Sequence, residues 1–164
     1  MSNSLKLSVP EGLPFIDYER EFDFPVADVF RAHKDPDLIV QWLGPRKYEM
    51  VIDKFDARAG GAYRYIHRNA EAEWAFHGVF HSLAIDNMVQ TFEFEGYPGH
   101  VSLDQVVIED IGGGRSRIRG HSVFQSVADR DGMIENGMSD GVEEGYDRLD
   151  ELMARLAEPV AASR

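Results

Sequence analysis

The stretch DRDGMIENGMSDGVEEGYDRLDELMARL, residues 129–156, decides how this chain is read. Its apolar residues Ile134, Met138, Val142, Tyr146, Leu149, Leu152, Met153 and Leu156 recur at helical period and mark one face of a long helix. Gly137, Gly141 and Gly145 recur at every fourth position, so they share a stripe of that helix. Glycine inside a helix costs about 1 kcal/mol relative to alanine. Three in register imply either close approach of another backbone or space left open beneath the helix.

Upstream of this helix the punctuation is that of strands and turns. KYEMVIDKFDA (47–57), AYRYIHR (62–68), EWAFHGVFHSLAI (73–85), MVQTFEFE (88–95), HVSLDQVVIEDI (100–111) and RSRIRGHSVFQ (115–125) are separated by Gly-, Asn- and Asp-containing turns. Six strands joined by short turns make an antiparallel meander. Further upstream, LPFIDYEREF (13–22) is another strand. It is followed by two short helices that start at Pro25 and at Asp35-Pro36, the second stopping at Gly44-Pro45. Ser126 with Asp129 forms a capping pair ahead of the last helix. The expected fold is α+β: a curved antiparallel seven-stranded sheet wrapped around a long C-terminal helix. Residues 1–12 are expected to form a flexible arm, 13–158 a single domain and 159–164 a tail.

A long helix over a curved sheet can enclose a ligand, and alternation along the strands nominates the lining. Tyr63, Tyr65 and His67 share one face of their strand, as do Trp74 and Phe76, with Gln90 and Phe92 on the next. Met138, Gly141 and Val142 face them from the helix, and Trp42 sits where the mouth should be, as a core plug or as a gate. Such a site takes a small apolar or aromatic molecule. The same alternation assigns Val79, Val106 and Ile108, among His77, His81 and Asp104, to the outer face, where an apolar patch suggests a homodimer.

Composition removes other classes. The chain has 164 residues, 43% hydrophobic and 28% charged, which suits one globular domain. It has no cysteine, so disulfides and thiol chemistry are excluded. The net charge is -12, and residues 129–158 carry ten acidic residues against three basic ones. That helix face repels phosphate, so no nucleic-acid partner is expected. No apolar run approaches the roughly 20 residues of a membrane span, and the N-terminus lacks a signal-peptide core, so the expected location is cytoplasmic. His77 and His81 are four apart, which on a strand spans roughly 13 Å, too far to share a metal ion. There is no GxSxG elbow, and Gly112-Gly113-Gly114 reads as a hairpin turn rather than a phosphate loop. No metal, cofactor or catalytic residue is assigned.

The segments FPVADVFRAHKDPDLIVQWLGP, FDARAGGAYRYIHR, EWAFHGVFHSLAIDNMVQTFEFE and GMSDGVEEGYDRLDELMARL resemble those of the START-like helix-grip (SRPBCC) proteins. Within these, the chain is most similar to the small bacterial homologues of the activator of the 90-kDa heat-shock protein ATPase. The resemblance spans about Leu13 to Leu156 and implies the order β-α-α-β6-α with an apolar cavity between sheet and helix. Members of this superfamily bind lipids or polyketide-like compounds, some act as cyclases or aromatases, and the eukaryotic namesake stimulates a chaperone. Three readings follow from it: a binding protein for a small hydrophobic molecule, a polyketide cyclase/dehydratase-like enzyme, and a protein-interaction or chaperone-assisting module. Fold alone does not choose among them.

Overall fold

Charged and aromatic residues that alternate through Phe15–Phe22 build a strand sealed on one side, and the rest of the sheet assembles beside it. The computed structural model describes residues 3–158. Its elements are β1 (Lys6–Ser8), β2 (Phe15–Phe22), α1 (Val26–Lys34), α2 (Pro36–Ile39), β3 (Glu49–Phe55), β4 (Ala62–Arg68), β5 (Glu73–Ala84), β6 (Asn87–Phe94), β7 (Val101–Gly112), β8 (Arg115–Val123), α3 (Val127–Glu135) and α4 (Met138–Ala157). The strands form one antiparallel sheet in the order β1-β2-β8-β7-β6-β5-β4-β3. The meander from β3 to β8 is local in sequence, whereas β2 crosses to pair with β8 along Phe15–Val123 to Phe22–Ser116. One face of the sheet, with Phe22, Met88, Ile108 and Ile118, shares a core with Val29 and Ala32 of α1 and with Tyr146, Leu149, Leu152 and Met153 of α4.

The architecture is the expected α+β order with three corrections. First, the sheet has eight strands rather than seven. The supposed arm supplies β1, whose Leu7 pairs with Tyr18. Downstream of β1, the buried Arg130 donates to the carbonyls of Pro10 and Leu13, so α3 anchors this segment. An arginine needed to satisfy backbone carbonyls is not legible in residues 1–12. The proposed tail, 159–164, lies outside the described residues.

Second, the long helix is two helices. Ser126 caps α3, its hydroxyl accepting from the Asp129 amide at 3.0 Å. Gly137 has a left-handed backbone (φ 87°), which ends α3 and starts α4. Glycine takes that conformation without the steric penalty of a side chain. Third, Asp104, Val106 and Ile108 face inward, not outward. They share the face of Ser102, and Ser102 and Ile108 are buried. Two polar residues on the inner side of β7, beside the apolar run Val106-Val107-Ile108, invert the parity that hydrophobic alternation suggests. The outer face therefore keeps Val79, Leu103 and Val107 among ion pairs: Arg117 with Glu21 at 2.8 Å, Arg119 with Glu109 at 3.0 Å and Arg64 with Glu95 at 2.8 Å.

The glycine stripe has a different reason at each position. A Cβ on Gly145 would lie 3.2 Å from the Gly44 amide nitrogen and 3.4 Å from the Trp42 carbonyl oxygen, so a side chain there would press on the backbone of the turn. A Cβ on Gly141 would meet only Pro45 Cδ, at 3.9 Å. The helix-propensity penalty is therefore recoverable at one position and not at the other. Gly141→Ala should raise the unfolding free energy by about 0.5–1 kcal/mol. Gly145→Ala, pressing on backbone that cannot rotate away, should fall below wild type. Urea denaturation of the two variants side by side tests this; equal midpoints would contradict the packing assignment.

Candidate functional site

The inner face of β4 is aromatic because Tyr63, Tyr65 and His67 fall on alternate residues of AYRYIHR. Tyr63 stacks on Tyr65 at 6.0 Å between ring centroids, and Tyr65 lies 5.0 Å from His67. The row continues through Phe76 on β5 (5.4 Å from Tyr65) and Phe92 on β6 (5.2 Å from Phe76). Gln90 stands beside Phe92 on the same strand face and donates to the Tyr63 hydroxyl at 3.2 Å, while that hydroxyl donates to the Thr91 carbonyl at 2.6 Å. Six of the nominated residues thus form one contiguous surface. Phe76, Gln90 and Phe92 remain only half-buried although they face inward, unlike the sealed Tyr63 and Tyr65.

The other nominated residues divide. Trp42 is 2% exposed, donates to the Ala32 carbonyl at 3.0 Å and stacks on Tyr146 at 5.9 Å. It fills the junction of α1, α2 and α4. Trp74 is 40% exposed, because it stands at the start of β5 beyond the cover of the helices. Its indole donates to the Tyr48 hydroxyl at 2.9 Å, placing it on the rim. On the helix, every buried residue of α4 lies from Gly145 onward. Met138, Gly141 and Val142, in its first two turns, are half-buried, and Val142 packs against the core.

Two parts of the inner face escape a reading from alternation. Tyr18 covers Gly120 of the neighbouring strand so closely that a Cβ there would collide with its ring. Its ring centroid lies 6.2 Å from that of Tyr146. Asp104, opposite Gln90 on one side and Ser122 on the other, points into the same aromatic surroundings. Ser102 donates to Asp104 at 3.0 Å, and Ser122 supplies a second hydrogen bond. The available signal was Ser102, Asp104 and Ser122 meeting across one strand pair, which becomes visible only once the register is known. Among the described residues, no group of three or more His, Asp or Glu side chains converges as a metal site would. The described hollows lie elsewhere: one of about 510 Å³ on the outer face between Asp17, Gln105, Arg119 and His121, the other at the β1–β2 edge.

Residues 23–154 match the family described as activator of Hsp90 ATPase homolog 1-like protein. The chain belongs to this family. Solved structures of three bacterial proteins share its fold. One from Arthrobacter aurescens has 21% identity and a TM-score of 0.84, covering 97% of this chain and 96% of its own. One from Rhodobacter sphaeroides has 19% identity and a TM-score of 0.81, with coverages of 92% and 99%. One from Mycobacterium smegmatis has 16% identity and a TM-score of 0.81, with coverages of 92% and 98%. No curated protein matches the sequence. Among the described residues, no helix is long and apolar enough to cross a membrane.

Within this member of the family, burial sets the charge states of the inner face. It pushes His67 down to about 4, helped by Arg148 and opposed by the Leu43 backbone. It also pushes His33 down to about 4, against a bond to the Val29 carbonyl. Both rings are neutral at pH 7, whereas an unfolded histidine titrates near 6.5. As pH falls the unfolded chain takes these protons first, so stability is held above about 6.5 and lost between there and about 4. His33→Gln should flatten that acid limb in unfolding free energies measured from pH 7 to 4; an unchanged slope would contradict the assignment.

Asp104 has the opposite sign. Burial raises it to about 6 from an ordinary 3.8, outweighing the hydrogen bonds from Ser122 and Ser102. The folded protein keeps this proton across a window where the unfolded chain has lost it. The group therefore favours folding at low pH and opposes it above about 6, on the order of 3 kcal/mol at neutral pH. Asp104→Asn, which keeps the shape and the acceptor, should be more stable than wild type at pH 7.5, with little gain at pH 4. Denaturant midpoints at the two pH values decide it.

Proposed function

We propose that this chain binds a small hydrophobic or aromatic molecule between the inner sheet face and α4. The carrying observation is that Phe76, Gln90, Phe92, Asp104 and Val106 face inward yet stay half-buried, as do Met138, Gly141 and Val142 in the first two turns of α4. Elsewhere in the inner layer Ile16, Ile118, Leu149 and Leu152 are closed. An apolar surface carrying a few convergent polar groups is the composition of a small-molecule site. Tyr63, Tyr65 and His67 form its floor, and Gly141 leaves room on the helix side.

Protein purified from its own host should show added mass in native mass spectrometry, or a raised melting temperature with members of a hydrophobic-compound panel. Ligand binding to the folded state alone stabilises by about 2.7 kcal/mol at one hundred times its Kd. Bare protein in the spectrometer, together with no hit in the panel, would sink this reading.

A polyketide cyclase/dehydratase-like activity on the same surface is the second reading, and Asp104 is the observation that favours it. A carboxyl raised to about 6 among tyrosine hydroxyls can exchange a proton near neutral pH. Turnover of a polyketide-like substrate that disappears in Asp104→Asn would support it. Binding without turnover leaves the first reading alone.

A further inference from the structure

Asp104 keeps two serine partners, and no cation of the described residues pairs with it. A carboxylate offers about four lone-pair sites, and Ser102 and Ser122 use two of them. Among the described residues no Lys, Arg or His lies close enough to pair with it, and every cation near the inner layer is engaged elsewhere. Arg20 bonds Asp147 at 3.0 Å and lies over the Phe22 ring at 4.5 Å. Arg148 donates to the carbonyls of Gly44 and Gln41, both at 3.0 Å. His67 is neutral beside Gly44. Even a half-buried charge without a counter-ion is costly for a fold to keep.

Beyond its polar neighbours Gln90, Ser102 and Ser122, the groups that feel this carboxylate are phenols. Its charge reaches Tyr18, Tyr63, Tyr65 and Tyr146, all held as neutral phenols chiefly by burial. Phenol rings present negative faces, which attract a cation as the carboxylate does. The net charge of -12 acts in the same direction at long range, drawing cations and repelling anions.

We propose, resting on the binding function above, that the site selects an organic cation: an aromatic or lipophilic amine whose ammonium group pairs with Asp104 while its apolar body lies along Phe76 and Phe92. The guest supplies the counter-ion that the chain withholds. A neutral ketone or alcohol would leave the carboxylate unpaired, and a carboxylic acid would be repelled. This orders ligand classes by charge, which apolar lining alone does not.

The test uses two probes of matched size, 4-phenylbutylamine and 4-phenylbutan-1-ol, titrated calorimetrically into the full chain at pH 7.5. The amine should bind at least tenfold more tightly. In Asp104→Asn, a variant expected to be more stable than wild type at this pH, the amine's advantage over the alcohol should fall below threefold. Equal affinities in wild type, or an amine preference that survives in Asp104→Asn, overturn the cation assignment and leave the apolar-binding function standing. If neither probe binds and the hydrophobic panel is also silent, both fall together.

Discussion

The contact on which the rest of this structure depends is the approach of α4 to the backbone of Trp42–Gly44 at Gly145. The missing side chain lets the helix settle that far into the turn without pressing on its backbone. Once there, Tyr146 stacks on Trp42, and the Arg148 guanidinium reaches the carbonyls of Gln41 and Gly44. Arg46 is held from the helix by Glu144 and by Glu151. Gly44, in a left-handed conformation (φ 93°), leaves the space that the His67 ring occupies. The loop, the helix and the aromatic row of β4 are thus positioned by one another. The half-buried first turns of α4 lie upstream of this contact, so the tight end of the helix fixes where the looser end sits.

Much of this was legible from punctuation. Pro25, Asp35-Pro36, Ser126 and the Gly- and Asn-bearing turns marked the element order, because each acts through local sterics or a local hydrogen bond. The aromatic floor was legible too, since AYRYIHR alternates without interruption. The failures have a common physical origin, which is that the deciding partner lies far along the chain. Arg130 orders residues near Pro10, 120 positions earlier. Asp104 is turned inward by serines on its own strand and on the next, against every hydrophobicity rule. The glycine stripe allowed two explanations, and the structure uses close packing at Gly145, room at Gly141 and a helix break at Gly137.

The acidic C-terminal region shows why a net charge says little by itself. Residues 129–158 looked like a solvated negative face, yet several of its carboxylates hold arginines from other elements. Asp147 and Asp150 bracket the buried Arg20, and Glu151 takes Arg46. The exposed pair with Arg46 is worth little in isolation. The Arg20 pair is different, because removing its partners would leave a guanidinium buried without compensation.

The pairing of β2 with β8 has a consequence for how the chain is made. Phe15–Phe22 finds its hydrogen-bonding partner about one hundred residues later, at Arg115–Val123. During synthesis, the meander from β3 onward can zip up hairpin by hairpin as it emerges, while β2 waits with its apolar side unsatisfied. Closure comes only when β8 and then the C-terminal helices are released, since Arg130 and α4 complete the cover. The last third of the chain therefore acts as the commitment step of assembly, and a ribosome stalled before it would hold out an exposed sheet edge. Such an edge is the feature of incomplete β-proteins most prone to aggregate.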